Sequence, residues 1–171
     1  MLHHISIPAR DPAHVAAVLA ALMKGRSFPF PGPLDGAFMA LNGDAQGTAI
    51  EVYPETTLLV PGADEAPVVF TPGAAASHGA FHALLSVPTD RAAIEAIGAR
   101  EGWRTKFCGR GVPGAPPAFH LIEFWIENRV LLELVTPDIV EEYTRSMQFD
   151  SMETVTQARI AATRGIEGTF A

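Results

Sequence analysis

The chain has 171 residues, 48% hydrophobic and 18% charged, and 12 Lys and Arg against 19 Asp and Glu give a formal charge of −7, which argues against a nucleic-acid partner because phosphate binding needs a cationic face. The apolar content, with 15 Gly and 14 Pro, describes a loop-rich folded chain and excludes a disordered one, and the single Cys108 excludes an internal disulfide. The longest apolar run, Val15 to Met23, has nine residues where a bilayer needs ~20, and no basic segment precedes an apolar one at the N-terminus, so a soluble, cytoplasmic protein with no membrane partner is expected.

The opening Leu2-His3-His4-Ile5-Ser6-Ile7 alternates and is rich in β-formers, which predicts a strand. Asp11-Pro12 supplies a cap and a proline at the first helical position, and Val15, Val18, Leu19 and Leu22 follow at helical spacing up to a stop at Gly25. The prolines of Phe28-Pro29-Phe30-Pro31-Gly32-Pro33 keep that stretch out of the centre of a sheet, since each lacks a ladder donor. Strands are predicted at Ala37 to Leu41 and Thr48 to Tyr53, around the turn signal Asn42-Gly43-Asp44. Residues 55–78 read as a weakly patterned connector. The pattern then restarts: a strand at Phe81 to Val87, a helix through Ala93, Ile94 and Ile97 to Gly102, and a strand at Trp103 to Cys108. A Gly/Pro loop at 109–117 and a hairpin, Phe119 to Ile126 and Val130 to Val135, follow.

Each half thus reads β-α-β-β-β. His4 matches His82 at a shift of 78, Ala37-Phe38 matches Ala118-Phe119 at 81, and Ile50-Glu51-Val52 matches Leu132-Glu133-Leu134 at 82. Three matches in order, on equivalent elements, point to an internal duplication. The boundaries expected are 1–54 and 79–136 for the two modules, 55–78 for the connector and 137–171 for a helical tail. In the tail, Thr136-Pro137-Asp138 starts one helix carrying Glu141 and Glu142 in its first turn, and a second runs from Ser151 to Gly165. The tail is expected to pack over its own core, and its apolar stripe, Ile139, Val140, Tyr143 and Met147, offers a second use as a dimer contact.

The chemistry sits at the repeated positions. Glu51 and Glu133 lie mid-strand among apolar neighbours, where a lone charge costs several kcal/mol unless paired or bound to a cation. With His4 and His82 they supply two nitrogens and two oxygens, a set that Zn²⁺, Ni²⁺, Fe²⁺, Mn²⁺ or Co²⁺ accepts with positions left for water and substrate. His120 opens the strand before the last hairpin turn, pairs by the repeat with Met39, and is a further acid/base candidate. Arg104 and Lys106 share a strand face and read as anion contacts or as solubilising edge charges. His3, His14 and His78 read as structural or solvated.

These residues resemble the vicinal oxygen chelate superfamily, which includes glyoxalase I, extradiol dioxygenases and the fosfomycin and bleomycin resistance proteins. The resemblance lies in Leu2-His3-His4-Ile5-Ser6-Ile7 with Asp11 beyond it, and in the closing Leu131-Leu132-Glu133-Leu134-Val135-Thr136-Pro137. It covers roughly residues 2–137. The sequence departs from that group's common patterns at Glu127-Asn128-Arg129, where many members read Asp-Pro-Asp-Gly, and at Leu22-Met23, where an aromatic pair is common. The resemblance implies an α+β fold of tandem βαβββ modules forming a cupped, barrel-like mixed sheet. It also implies one divalent ion on His4, Glu51, His82 and Glu133, a small oxygenated substrate, and a homodimer. The activity implied is lyase or isomerase chemistry through a metal-stabilised enolate or oxyanion, with Glu51 or Glu133 moving the proton. An Fe(II) extradiol-type dioxygenase and a metal-free small-molecule binding or resistance protein are the alternatives.

Overall fold

Asp11 starts the first helix, α1 (Pro12–Met23), as its cap, its carboxylate accepting from the His14 amide at 3.0 Å while Pro12 takes the position where no donor is needed. This is a computed structural model, and it describes residues 2–64, 66–76, 78–112 and 115–167. The crossover through α1 lets β1 (His4–Ala9) pair in parallel with β4 (Ala49–Pro54), and β3 (Phe38–Leu41) and β2 (Arg26–Pro29) follow antiparallel, in the order β1-β4-β3-β2. β2 ends at Pro29 on the sheet edge, where a missing donor costs nothing.

The second half repeats this topology. β7 (His82–Ser86) pairs in parallel with β10 (Val130–Val135) across α2 (Arg91–Glu101), and β9 (Phe119–Ile126) and β8 (Thr105–Arg110) complete the order β7-β10-β9-β8. Asp90 caps α2 through the Ala93 amide, and Gly102 ends it at φ 67°. The fold is α+β with two open four-stranded sheets, and the strands do not close into a barrel.

The register confirms the duplication at its outer strands and corrects it between them. Glu51 lies opposite Ser6, and Glu133 lies opposite Leu84, so the shifts of 78 and 82 hold. The other neighbour of Glu51 is Met39, whereas that of Glu133 is Glu123. The structural equivalent of Met39 is therefore Glu123, a shift of 84, and neither the Met39–His120 match nor the Ala-Phe match is in register. The second half gains residues ahead of β9, and its paired residues then lie two closer in sequence, Glu123 with Glu133 against Met39 with Glu51, so the shift rises and falls back.

Other boundaries move as well. The segment 55–78 carries a hairpin, β5 (Thr57–Val60) with β6 (Val69–Pro72), a two-stranded sheet whose ladder satisfies its own backbone. β8 starts later than expected and absorbs Gly109 and Arg110 from the predicted loop. The tail forms α3 (Val140–Ser146) and α4 (Phe149–Glu167). Thr136 serves α3 by accepting the Ile139 and Val140 amides on its carbonyl. The Thr136 hydroxyl bonds Asp138.

One hydrophobic cluster joins the halves. It holds Ile7, Ile50 and Val52 from the first sheet, Ile122, Phe124, Ile126, Leu132 and Leu134 from the second, and most of α1. Val15, Ala16, Val18, Leu19, Ala20, Leu22 and Met23 are all buried, as a helix apolar nearly all round must be. Polar ties pin the joint. The Thr89 hydroxyl donates to the Leu22 carbonyl at 2.6 Å, Glu127 accepts the Arg10 and Asp11 amides at 2.8 and 3.1 Å, and Arg129 pairs with Glu55. No described helix is long and apolar enough to cross a membrane.

Candidate functional site

Because each sheet turns its Ile, Val and Leu face to the shared core, strand alternation turns His4, Ser6 and Glu51 outward on the first sheet and His82, Leu84 and Glu133 outward on the second. The four residues expected to share one ion therefore form two His/Glu pairs on sheet faces that both turn away from the core. Among the described residues no group of three or more His, Cys, Asp or Glu stands close enough to hold a metal.

The two carboxylates keep different partners. Glu51 Oε2 accepts from Ser6 Oγ at 2.8 Å and from the Tyr53 hydroxyl at 2.5 Å. Tyr53 is buried, with Phe70 of the β5–β6 hairpin and Phe30, just after β2, edge-on to its ring. Burial first, and the Glu51 carboxylate second, push its hydroxyl above the ordinary tyrosine value, so it stays a donor. His4 is exposed, two residues before Ser6 on the same face of β1.

Glu133 instead meets a guanidinium. Arg110, at the end of β8, sends Nη2 to Glu133 Oε1 at 2.9 Å and to Glu123 Oε1 at 2.8 Å, with Nε 3.3 Å from Glu133 and Nη1 3.1 Å from Cys108 Sγ. Glu123 also accepts from Trp125 Nε1 at 3.2 Å. Arg110 first, helped by Trp125 and working against burial, which pushes the other way, holds Glu123 below the usual carboxylate range. His82 is exposed, with Nδ1 3.3 Å from the Ala80 carbonyl. Arg110, Glu123, Ser6 and Tyr53 were not singled out as site residues from sequence. The alternation of Cys108 with Arg110 and of Glu123 with Trp125 was the available signal, and it needed the register of β8, β9 and β10 to become one.

His120 is three residues from Glu123 on the same strand and so takes the opposite face. Its ring stacks on Phe107 at 5.3 Å, and its amide and Nδ1 both meet Glu142 of α3, at 2.8 and 2.9 Å. α3 enters over Leu121 and Val135 through Ile139 and Val140, partly covering the outward face of the second sheet. Beyond it, a cavity of about 390 Å³ lies between the β8–β9 loop and α3–α4, lined by Val112, Phe119, Met147, Met152 and Val155 with Arg145. The His/Glu pairs do not line it.

No protein-family model matches this sequence, and no curated protein does. Solved structures similar to it include the fosfomycin resistance protein FosX from Mesorhizobium loti, at 16% identity over 84% of this chain and 97% of that one, with a TM-score of 0.48. FosX from Listeria monocytogenes gives 16% identity over 85% and 97%, with a TM-score of 0.48. A glyoxylase/bleomycin resistance protein/dioxygenase domain from Frankia sp. EAN1pec gives 13% over 80% and 96%, with a TM-score of 0.43.

Proposed function

We propose that this chain is a metal-dependent, glyoxalase-like enzyme that acts on a small substrate with two neighbouring oxygens, each site being completed by a second copy of the chain. One observation carries the reading: both halves place an imidazole and a carboxylate on the outward sheet face in the same register, Glu51 opposite the residue two beyond His4 and Glu133 opposite the residue two beyond His82. The donor set suits a divalent ion. Both imidazoles are exposed, and Glu51 is held by neutral hydroxyls that leave its charge uncompensated. Zn²⁺, Ni²⁺, Fe²⁺, Mn²⁺ or Co²⁺ accepts two nitrogens and two oxygens, or His4, His82 and Glu133 with Glu51 released. Such an ion supplies Lewis acidity toward substrate oxygens.

The chain's own residues do the rest. Ser6 and Tyr53 fix the Glu51 carboxylate, and Glu51 takes or returns a proton from that held position. With Fe²⁺ the three-ligand set serves extradiol-type oxygen chemistry instead. A second reading, a metal-free binding protein, is favoured by the Arg110–Glu133 ion pair, which already gives that carboxylate a cation.

Elemental analysis of protein purified without a histidine tag tests the proposal. Near-stoichiometric metal, and a melting temperature that falls on chelation, are expected by linkage. Metal-free protein that melts identically with and without chelator would leave the binding-protein reading.

A further inference from the structure

We infer that Arg110 is the resident counter-cation of the second half-site, and that a divalent ion takes Glu133 only by displacing the guanidinium, which Glu123 and Cys108 then keep. The inference rests on the metal reading of His4, Glu51, His82 and Glu133. Glu123 and Glu133 lie directly across the β9–β10 ladder, an arrangement that is unfavourable for like charges unless a cation sits between them. Arg110 reaches both from the end of β8. On its other side Glu123 faces Lys106 across the β8–β9 ladder, so this sheet face carries cations as well as the two carboxylates.

The grip of Arg110 is unequal. Glu123 receives its 2.8 Å bond and is also held by Trp125 Nε1, with the Cys108 thiol at 3.8 Å. Glu133 receives contacts at 2.9 and 3.3 Å from the guanidinium and no other side-chain donor among the described residues. Glu123 is thus the anchor, and Glu133 the partner that can be released. The first half has no counterpart: Met39 stands where Glu123 stands, and the hydroxyls of Ser6 and Tyr53 take the place of the guanidinium. One half-site therefore presents a carboxylate without a cation, while the other carries a stand-in that keeps its carboxylates compensated until the ion arrives.

Titration calorimetry of chelator-treated protein with Zn²⁺, Ni²⁺ and Mn²⁺ tests this on wild type, Arg110→Met and Glu123→Gln. Removing the competitor in Arg110→Met should tighten ion binding about three- to tenfold, the range of a partly screened ion pair, and should enlarge the rise in melting temperature that the ion produces. Glu123→Gln removes the anchor, leaves Arg110 wholly to Glu133, and should weaken ion binding by a similar factor. Opposite signs from two lost partners of one ion pair are not what general loosening of the fold produces. If Arg110→Met does not fold, Arg110→Gln takes its place, and ion binding no tighter than wild type in the folded variant overturns the role of Arg110. Wild type that binds while the folded variants match it overturns the role of Arg110 alone. Wild type that binds none of the ions overturns the metal reading and this inference together.

Discussion

Glu51 and Glu133 occupy equivalent positions in the two halves, yet one is held by hydroxyls and the other by a guanidinium. On the metal reading, Glu133→Gln keeps the shape and removes the charge. It should lower ion affinity and blunt the response of the melting temperature to chelator, while costing no more than about 1 kcal/mol of stability because Arg110 retains Glu123. Calorimetry with and without chelator measures both. The Arg110–Glu123 pair also sets a pH dependence. Arg110 holds Glu123 below the ordinary glutamate value of 4.5, so the stability the pair contributes is present above pH 4.5 and is lost as the pH falls through the lower folded value. Arg110 is one-third exposed, 35% by side chain, and with screening the contribution is about 1 kcal/mol. Arg110→Met should therefore be less stable than wild type at pH 6–7, and the gap should close below pH 4.5, in urea unfolding followed from pH 3 to 7. That Glu133 needs a positive partner was legible from its place between two leucines. Which partner it has was not, because Arg110 lies 23 residues earlier and only strand register brings the two together.

Among the elements, α1 is the one its sequence describes best. Cap, proline and apolar content all agree, and a helix this apolar finds its place between two sheets. Its end differs in detail. Lys24 adopts the left-handed conformation at φ 51°, while Gly25 is needed because a Cβ there would sit 1.9 Å from the Leu41 carbonyl oxygen. α2 docks on β8 by a comparable close approach. A Cβ on Gly98 would fall 1.9 Å from Thr105 Oγ1 and 3.0 Å from Thr105 Cβ, so Gly98→Ala should push helix and strand apart. The helix-propensity gain does not offset that, and a net loss of about 1–3 kcal/mol is expected in denaturant unfolding. An unchanged or raised midpoint would mean that Thr105 turns aside without cost. The β5–β6 hairpin was not legible, because its short strands are half-exposed and lack a clean alternation to mark an inward face.

At the scale of the molecule, the two halves share one core and so expose their His/Glu faces outward, and among the described residues of a single copy no three possible ligands stand together. On the proposed reading, a two-fold dimer lays the first face of one copy over the second face of its partner and makes two sites. Complementation tests this directly. One variant carries His4→Ala with Glu51→Gln, the other His82→Ala with Glu133→Gln, and neither alone should bind stoichiometric metal. Refolded together, the mixed dimer contains one site with all four native residues, so about half of the dimers formed should regain one ion each. If sites formed within one copy, mixing would restore nothing.

By itself the sequence determined what local physics decides: where the helix of each module starts, which strands alternate, that the module occurs twice, and that two glutamates sit where charge is costly. Those properties depend on near neighbours in the chain and on periodicity. Only the tertiary structure decided the register of β9 against β10, which sets Glu123 beside Glu133 and makes Glu123, where the sequence matched His120, the counterpart of Met39, and the direction in which the two modules face. Both depend on contacts between residues far apart in sequence. A face buried in the shared core leaves the opposite face open, and the choice between them was made by packing around α1, which no short window of sequence contains.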